Sequence, residues 1–215
     1  MGSSSGCERT LTAVGILAGV TAAAAPPRRE QLLEAAAQLF STRGFHAVGI
    51  DDIGAAAGIS GPGVYRHFAS KQALLESLCD SAMTRMLQGA QQILATVDEP
   101  HAALEGLVDL HVAFTCSERA LIGVWVREAR SLSDDVRRSL RRRMRDYEQP
   151  WLQTLGALRE DLTPPEVAVV TGSTLAMLNG TAFTSPVVEP EELARLLRRM
   201  ALAALLARRA PTRRP

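Results

Sequence analysis

The stretch Phe45–Lys71, FHAVGIDDIGAAAGISGPGVYRHFASK, decides the fold of this chain. In its first part, apolar side chains recur at the three- and four-residue spacing of one helix face, at Ile50, Ile53 and Ala57. Asp51 and Asp52 fall in the first turn of that helix, where the helix dipole favours negative charge. The pattern predicts a short helix that begins near residue 50.

A glycine turn and a second short helix follow. Gly58 can adopt the left-handed conformation that ends a helix. Ser60 can cap the next helix, and Pro62 fits its first turn, where a missing N–H costs little. Two helices joined by three or four residues that include glycine form a helix-turn-helix.

The rest of the chain also predicts helices. They are expected at residues 28–43, at 71 to about 97, and at about 101–117, 118–132, 133–159, 164–184 and 190–209. Pro150 lies inside the helix at 133–159 and should kink or split it. No alternating apolar pattern of useful length occurs, which favours an all-α fold. The residues expected to complete a small core under the first helix are Phe45, Ile50, Ile53, Ile59, Val64 and Phe68.

Three segments resemble the DNA-binding signature of the tetracycline-repressor (TetR) family of bacterial regulators, namely IDDIGAAAGIS, GVYRHF and SKQALL. The resemblance covers about residues 28–75. The remainder matches that family in length, helicity and helix order. The resemblance implies an N-terminal three-helix helix-turn-helix DNA-binding domain, followed by a C-terminal helical ligand-binding and dimerisation bundle. It also implies a cytoplasmic regulator, most often a repressor that a small molecule releases from its operator, and no cofactor.

The expected domain boundaries follow from the same resemblance. We expect an N-terminal extension at 1–27, the helix-turn-helix domain at 28–72, the ligand-binding and dimerisation domain at 73–209 and a short tail at 210–215. The apolar run 11–25 has the outline of a signal peptide, although its basic region is poor, and it is too short to span a membrane. We favour a flexible extension and keep export as the alternative.

The charge of the chain gives little general attraction to DNA. The formal net charge is only +1, and the segment 28–71 carries Arg28, Arg29, Arg43, Arg66 and Lys71 against Glu30, Glu34, Asp51 and Asp52. Affinity for DNA must therefore come from geometry, dimerisation and a few placed contacts. The three cysteines, Cys7, Cys79 and Cys116, are widely spaced and suggest neither a disulfide framework nor a zinc site, which fits a reducing cytoplasm.

The resemblance places the helix that begins near Ser60 in the DNA major groove. Tyr65, His67 and Lys71 would then contact phosphates; the alternative for the first two is that they merely complete the small core. Pro62 and Val64 would contact thymine methyl groups, and Arg66 would read a guanine edge. The backbone N–H of Gly49 would bind another phosphate. The full predicted DNA-binding set is Gly49, Ser60, Gly61, Pro62, Gly63, Val64, Tyr65, Arg66, His67 and Lys71.

A run of arginines marks the helix at 133–159. It comprises Arg137, Arg138, Arg141, Arg142, Arg143 and Arg145, on the side opposite an apolar stripe of Val136, Leu140, Met144, Tyr147 and Trp151. We favour a solvated face over a second nucleic-acid surface or a site for an anionic ligand. The segments WVREARSL and RRRMRDYEQPW resemble actinobacterial TetR regulators of acyl-CoA and lipid metabolism, which suggests an apolar or acyl-CoA-like effector.

The family places its ligand pocket in the C-terminal bundle. The residues expected to line that pocket are His111, Phe114, Trp125, Tyr147, Trp151, Met177 and Asn179, an apolar set with few polar points. The last two helices carry more apolar surface than one bundle can bury, and in the family they form the dimer interface. The expected interface residues are Val167, Val170, Leu178, Leu193, Leu196, Leu197 and Met200; the alternative is that they form only an intramolecular core. A homodimer would place two reading helices about 34 Å apart, on the two half-sites of a palindromic double-stranded operator.

Two other classes of protein compete with this interpretation. An enzyme is not expected, because the sequence contains no metalloprotease motif, no di-iron Glu-x-x-His pair, no phosphate-binding glycine loop and no credible nucleophile elbow. Four histidines, His46, His67, His101 and His111, suggest no metal set. A helical ligand-binding protein without DNA activity is the remaining alternative, and it would be exported if the N-terminal run were a signal peptide.

Overall fold

The computed structural model describes residues 27–128, 132–183 and 187–208, and the regular elements in those ranges are helical. In chain order they are α1 (Arg28–Arg43), α2 (Ile50–Ala56), α3 (Gly61–Val64), α4 (Lys71–Thr96), α5 (Pro100–Ser117), α6 (Arg119–Glu128), α7 (Asp134–Leu158), α8 (Pro164–Gly180), a 3-10 turn (Thr181–Phe183) and α9 (Pro190–Leu206). The predicted all-α fold is confirmed.

Most helix bounds agree with the sequence to within a few residues. The first helix matches the predicted 28–43, and α4 ends one residue before the predicted position. The predicted split at Pro150 is wrong, since α7 runs through that proline without interruption. Tyr147 and Trp151 are buried on either side of Pro150, and this packing offsets the backbone hydrogen bond that proline cannot donate. Helix α8 ends at Gly180, four residues before the predicted end.

The chain divides into two compact units. Among the described residues, one contains those up to Arg85 together with those of Glu118–Arg142, and its core includes the predicted Phe45, Ile53, Val64 and Phe68. Ile50 and Ile59 are only half-buried. Helix α6 packs against α1. An ion pair of 2.7 Å between Arg85 and Glu118 and a hydrogen bond of 3.0 Å from Ser133 Oγ to Glu76 tie later segments to α4.

The other unit contains Met86–Ser117 and the described residues from Arg143 onward. In it α9 packs against α5 and α8. The Arg198 guanidinium donates to Asp109 at 2.7 Å, and the largely buried Arg159 donates to the carbonyl oxygen of Leu205 at 2.8 Å. These bonds fix the middle and the C-terminal end of α9. The functional boundary predicted between residues 72 and 73 stays a prediction.

The described ranges contain neither a membrane-spanning helix nor a candidate metal site. No helix there is long and apolar enough to cross a membrane. No group of three or more His, Cys, Asp or Glu side chains there could hold a metal ion.

Candidate nucleic-acid interface

The turn between α2 and α3 has the geometry that its glycines predict. Gly58 has a φ of 71°, in the left-handed region that favours glycine. The N–H of Ile59 donates to the carbonyl oxygen of Gly54 at 2.8 Å, and a Cβ on Gly54 would lie 2.8 Å from the carbonyl oxygen of Ile59. Ser60 occupies the N-cap position of α3, but its side chain makes no capping hydrogen bond. Glycines at 54 and 58 thus permit the close approach of the two helices.

Gly49 is engaged within the protein. Its N–H donates to Asp52 Oδ2 at 2.8 Å, and Arg43 lies 3.7 Å from the other oxygen of the same carboxylate. The predicted contact of the Gly49 N–H with a DNA phosphate stays a prediction, and the structure shows a carboxylate acceptor for that donor within the protein. Asp52 therefore caps α2, a role that its first-turn position indicated only in part.

Lys71 connects the start of α4 to the segment between α1 and α2. Its Nζ donates to the carbonyl oxygens of Phe45 at 2.8 Å and Val48 at 2.7 Å, and it lies 4.5 Å from the centroid of the Phe45 ring. An ammonium group has three N–H donors, so one is left over for another partner. The predicted phosphate contact stays a prediction, and the structure adds a role in holding the scaffold together.

Four side chains at α3 and just after it reach solvent. Pro62, Tyr65, Arg66 and His67 are exposed, with Tyr65 at 57%. The interpretation of Tyr65 and His67 as core residues is therefore wrong. Among the described residues none of these four forms a side-chain hydrogen bond or ion pair within the protein. A phenol, a guanidinium and an imidazole are consequently available as hydrogen-bond donors on one short segment.

Two predicted base contacts need correction. Val64 is fully buried on the inner side of α3, so its methyl groups cannot reach a thymine. Gly61 is also buried, because the Asp51 carboxylate packs against it. Gly63 is half-buried and Ser60 is exposed, and their contribution to DNA binding stays a prediction.

Part of the predicted ligand-pocket set forms a buried polar cluster in the second unit. His111 lies between Tyr147 and Asn179, with Nδ1 3.0 Å from the Tyr147 hydroxyl and Nε2 3.2 Å from Asn179 Oδ1. The amide oxygen can only accept, so Nε2–H donates to it and Nδ1 accepts from the Tyr147 hydroxyl. Trp151 meets the His111 ring edge to face at 5.9 Å.

Burial sets the charge state of this cluster. It lowers the pKa of His111 to about 4 and raises the pKa of the Tyr147 hydroxyl above its ordinary value. Both groups are therefore neutral near pH 7. An imidazole held neutral between a hydroxyl and an amide can exchange hydrogen bonds with a polar group of a ligand without burying a charge.

The place of the other predicted pocket residues in a ligand site stays a prediction. Phe114 and Met177 are half-buried, and the side chain of Trp125 lies outside the described residues. A cleft of about 400 Å³ does occur in the first unit, and it contains none of the predicted pocket residues. Its lining residues are Arg29, Ala73, Glu76, Ser77, Asp80, Ser81, Val136, Ser139 and Leu140.

The predicted dimer-interface set divides by exposure. Val167, Leu178 and Leu197 are buried within the second unit and leave no side-chain surface for a partner, which corrects their predicted role. Met200 is 49% exposed, and Val170, Leu193 and Leu196 are half-buried. Val169, which the sequence did not single out, is 67% exposed on α8. Helices α8 and α9 therefore each bury some apolar side chains in the core and leave others exposed to solvent.

The arginine run lies mostly in solvent. Arg137 and Arg138 pair with Asp134 and Asp135 one turn earlier, while Arg141 and Arg142 are exposed without an ion pair among the described residues. The opposite side of α7 buries Leu140, Tyr147 and Trp151 as the apolar stripe predicts. The predicted solvated face fits these positions.

The match to known families covers both parts of the chain. Residues 32–78 match the model of bacterial regulatory proteins of the tetR family, and residues 97–205, half of the chain, match a tetracyclin repressor-like C-terminal domain. This protein belongs to the TetR family. The curated TetR relatives are regulators and not enzymes: the transcriptional activator FasR of Mycolicibacterium smegmatis is 37% identical over 87 residues, which is 40% of each chain. The repressor KstR2 of the same organism is 34% identical over 107 residues, 50% of this chain and 52% of KstR2.

These alignments span about half the length of the curated relatives or less. Two solved structures of TetR regulators extend the likeness of the fold to most of the chain. KstR2 of Mycobacterium tuberculosis, described as a ketosteroid transcriptional regulator, has a TM-score of 0.73 at 23% identity, covering 85% of this chain and 95% of KstR2. AibR in complex with isovaleryl coenzyme A and operator DNA has a TM-score of 0.68 at 19% identity, covering 81% of this chain and 97% of AibR.

Proposed function

We propose that this TetR-family chain is a ligand-responsive, DNA-binding transcriptional regulator that acts in the cytoplasm as a homodimeric repressor. The observation that carries the proposal is the segment Tyr65–His67, whose three polar side chains are exposed beside a helix-turn-helix with a buried apolar core. Exposed donors on a rigid support are what phosphate contacts require, because they fix the register of a protein on the duplex.

DNA binding would divide the work between scaffold and surface. Tyr65 and His67 donate hydrogen bonds to phosphates, and Arg66 supplies a fork of donors that suits the O6 and N7 atoms of guanine. Val64, Phe68 and Ile53 are buried beneath them and hold the segment in place. Pro62 remains the exposed apolar residue of α3 that can touch a thymine methyl group.

Control by a ligand would act through α4. This helix has 26 residues and is therefore roughly 39 Å long, and its first part belongs to the helix-turn-helix unit while its last part belongs to the other unit. A ligand that binds the second unit with different affinities in two positions of α4 would change the placement of the helix-turn-helix. Only such a difference in affinity can release the DNA.

The proposed effector is an apolar or acyl-CoA-like molecule. Support comes from the second unit, where the buried His111 and Tyr147 and the half-buried Asn179 supply uncharged polar points among apolar side chains. It also comes from the ketosteroid regulator KstR2 and from AibR with its isovaleryl coenzyme A. An apolar ligand with one carbonyl or hydroxyl group would suit these partners.

Dimerisation would place two copies of α3 on a palindromic operator, about 34 Å apart. The open face of α8 and α9 is the proposed contact, through the exposed Val169 and Met200 and the half-buried Leu196. A symmetric dimer needs a surface that pairs with itself, and one helix pair per subunit meets that need.

A selection from genomic DNA tests the proposal. Fragments of the native host's genome are incubated with the purified chain, the retained fragments are sequenced, and metabolite fractions are then added to the complexes. We expect retention of fragments that share an inverted repeat and their release by an apolar or acyl-CoA fraction. Retention of no fragment, together with tight binding of a metabolite, would establish the alternative of a ligand-binding protein without DNA activity.

A further inference from the structure

The first turn of α3 offers DNA almost no side chain. Gly61 is buried, Gly63 has no side chain, and Val64 is fully buried, so Pro62 is the exposed side chain within α3 itself. In a helix-turn-helix the N-terminal residues of the second helix face the base edges. Direct reading of bases from this turn therefore needs a side chain from elsewhere.

Asp51 supplies that side chain from α2. Its Oδ1 occupies the space that a Cβ on Gly61 would take, and that Cβ would lie 3.0 Å from Asp51 Cγ. The carboxylate thus stands where the side chain of residue 61 would begin. Asp51 is exposed, and the described residues provide it with no hydrogen bond or ion pair.

The neighbouring Asp52 shows the contrast. Its carboxylate accepts from the N–H of Gly49 at 2.8 Å and lies 3.7 Å from Arg43, so its role is to cap α2. Asp51 has no such internal task beyond its favourable place in the first turn. The two adjacent acids therefore differ in what they can offer a partner.

We infer that Asp51 is a base-reading residue, which accepts a hydrogen bond from the exocyclic amino group of a cytosine in each operator half-site. This inference rests on the proposed function, since it assumes that α3 faces the major groove. An ionised carboxylate is acceptor-only. In the major groove it pairs with the cytosine N4 donor and is repelled by guanine O6 and N7, which are acceptors.

A carboxylate at this place also lowers affinity for DNA in general, because it lies near the phosphate charges. Asp51 therefore trades affinity for selectivity. Replacement by the neutral, isosteric amide should raise affinity for unrelated DNA and weaken the preference at one base pair. Replacement of a residue that acts only on helix stability would change neither the affinity for unrelated DNA relative to the operator nor the preference at one base pair.

Selection from random DNA duplexes tests the inference with the full-length chain. The parent, Asp51→Asn, Asp51→Ser and the charge-matched control Glu34→Gln each select from the same library; Glu34 is an exposed carboxylate on α1. We expect the parent to enrich an inverted repeat with a cytosine in each half. Both Asp51 variants should lose that preference by roughly 5- to 150-fold at that base pair and keep the others, while Glu34→Gln should select as the parent does.

Gly61→Ala provides an independent arm, because the new methyl group would displace the Asp51 carboxylate without meeting backbone atoms at short range. It should alter the preference at the same base pair as Asp51→Asn. An unchanged preference in folded Asp51→Asn and Asp51→Ser, beside a parent that enriches a clear motif, would overturn the inference and leave the proposed function intact. A parent that enriches no motif would overturn both.

Discussion

The ammonium group of Lys71 donates to the carbonyl oxygen of Phe45 at 2.8 Å and lies 4.5 Å from the centroid of the Phe45 ring. Lys71 is the first residue of α4, a position where the helix dipole disfavours a positive charge. The bond to Phe45 and a second one to Val48 offset that disadvantage. They attach the long helix to the segment that carries the helix-turn-helix.

Replacing Lys71 with Met should therefore lower the free energy of unfolding by about 1.5–3 kcal/mol, since it removes two charge-assisted hydrogen bonds. Urea unfolding measures the change. Arg66→Met is the matched control, because it removes an exposed cation without an internal partner and should stay within about 0.5 kcal/mol of the parent. An unchanged unfolding midpoint for Lys71→Met would show that the two hydrogen bonds contribute nothing.

Gly58 should resist substitution for reasons of backbone conformation alone. Its φ is 71°, and no heavy atom beyond its chain neighbours lies within 4 Å of an added Cβ. Gly58→Ala should cost about 1–2 kcal/mol of stability, the penalty of a left-handed residue with a side chain. Gly58→Asn should cost less, because asparagine tolerates this conformation better. Equal unfolding midpoints for Ala and Asn would contradict this explanation.

The buried His111 should make stability depend on pH. Its folded pKa is lowered to about 4 from 6.5, so the unfolded state binds more protons between those values. The stability that His111 contributes is present above pH 6.5 and falls as the pH drops toward 4, by about 2–3 kcal/mol between pH 7.5 and 4.5.

Urea unfolding across that range, with His111→Gln for comparison, isolates this contribution because the variant keeps every other titrating group. The parent should lose more stability than His111→Gln on acidification. Parallel pH profiles would mean that His111 titrates alike in the folded and unfolded chains.

The proposed dimer should depend on Val169, which is 67% exposed on α8. Val169→Arg would place a charge in an apolar contact and should shift the chain from dimer to monomer at micromolar concentration, as sedimentation velocity would show. Gln153→Arg, at an exposed position of α7, is the control and should leave the dimer intact. A parent that sediments as a monomer would refute the dimer itself.

The sequence predicted what depends on local spacing. The bounds of α1, the left-handed Gly58 and the burial of Ile53 and Phe68 follow from helical periodicity and from the conformational freedom of glycine. Sequence spacing could not decide the role of Val64, which was expected both in the core and on the DNA. A helix of four residues is about one turn long, so periodicity does not separate its inner and outer sides.

Other roles depend on distances across the fold. Lys71 meets carbonyl groups 26 and 23 residues away, and His111 meets Tyr147 and Asn179 at separations of 36 and 68 residues. The sequence placed Lys71 in the DNA-binding set without its carbonyl partners. It placed His111, Tyr147 and Asn179 in one pocket set but could not show the hydrogen bonds that join them. From the sequence, Asp51 was assigned only to the first turn of a helix. The glycine at position 61 was the available signal of a further role, because a residue without a side chain leaves room for the Asp51 carboxylate.

The central claim, that the exposed segment Tyr65–His67 binds DNA, is tested most directly by titrating the parent and Tyr65→Ala against a duplex selected from the host genome and an unrelated duplex. Because Tyr65 is exposed, the substitution should leave the fold intact. We predict that the parent prefers the selected duplex by about 1,000-fold. Tyr65→Ala should weaken binding to both duplexes by about 10-fold without changing their ratio. Equal affinities of the parent for the two duplexes, unaffected by Tyr65→Ala, would contradict the claim.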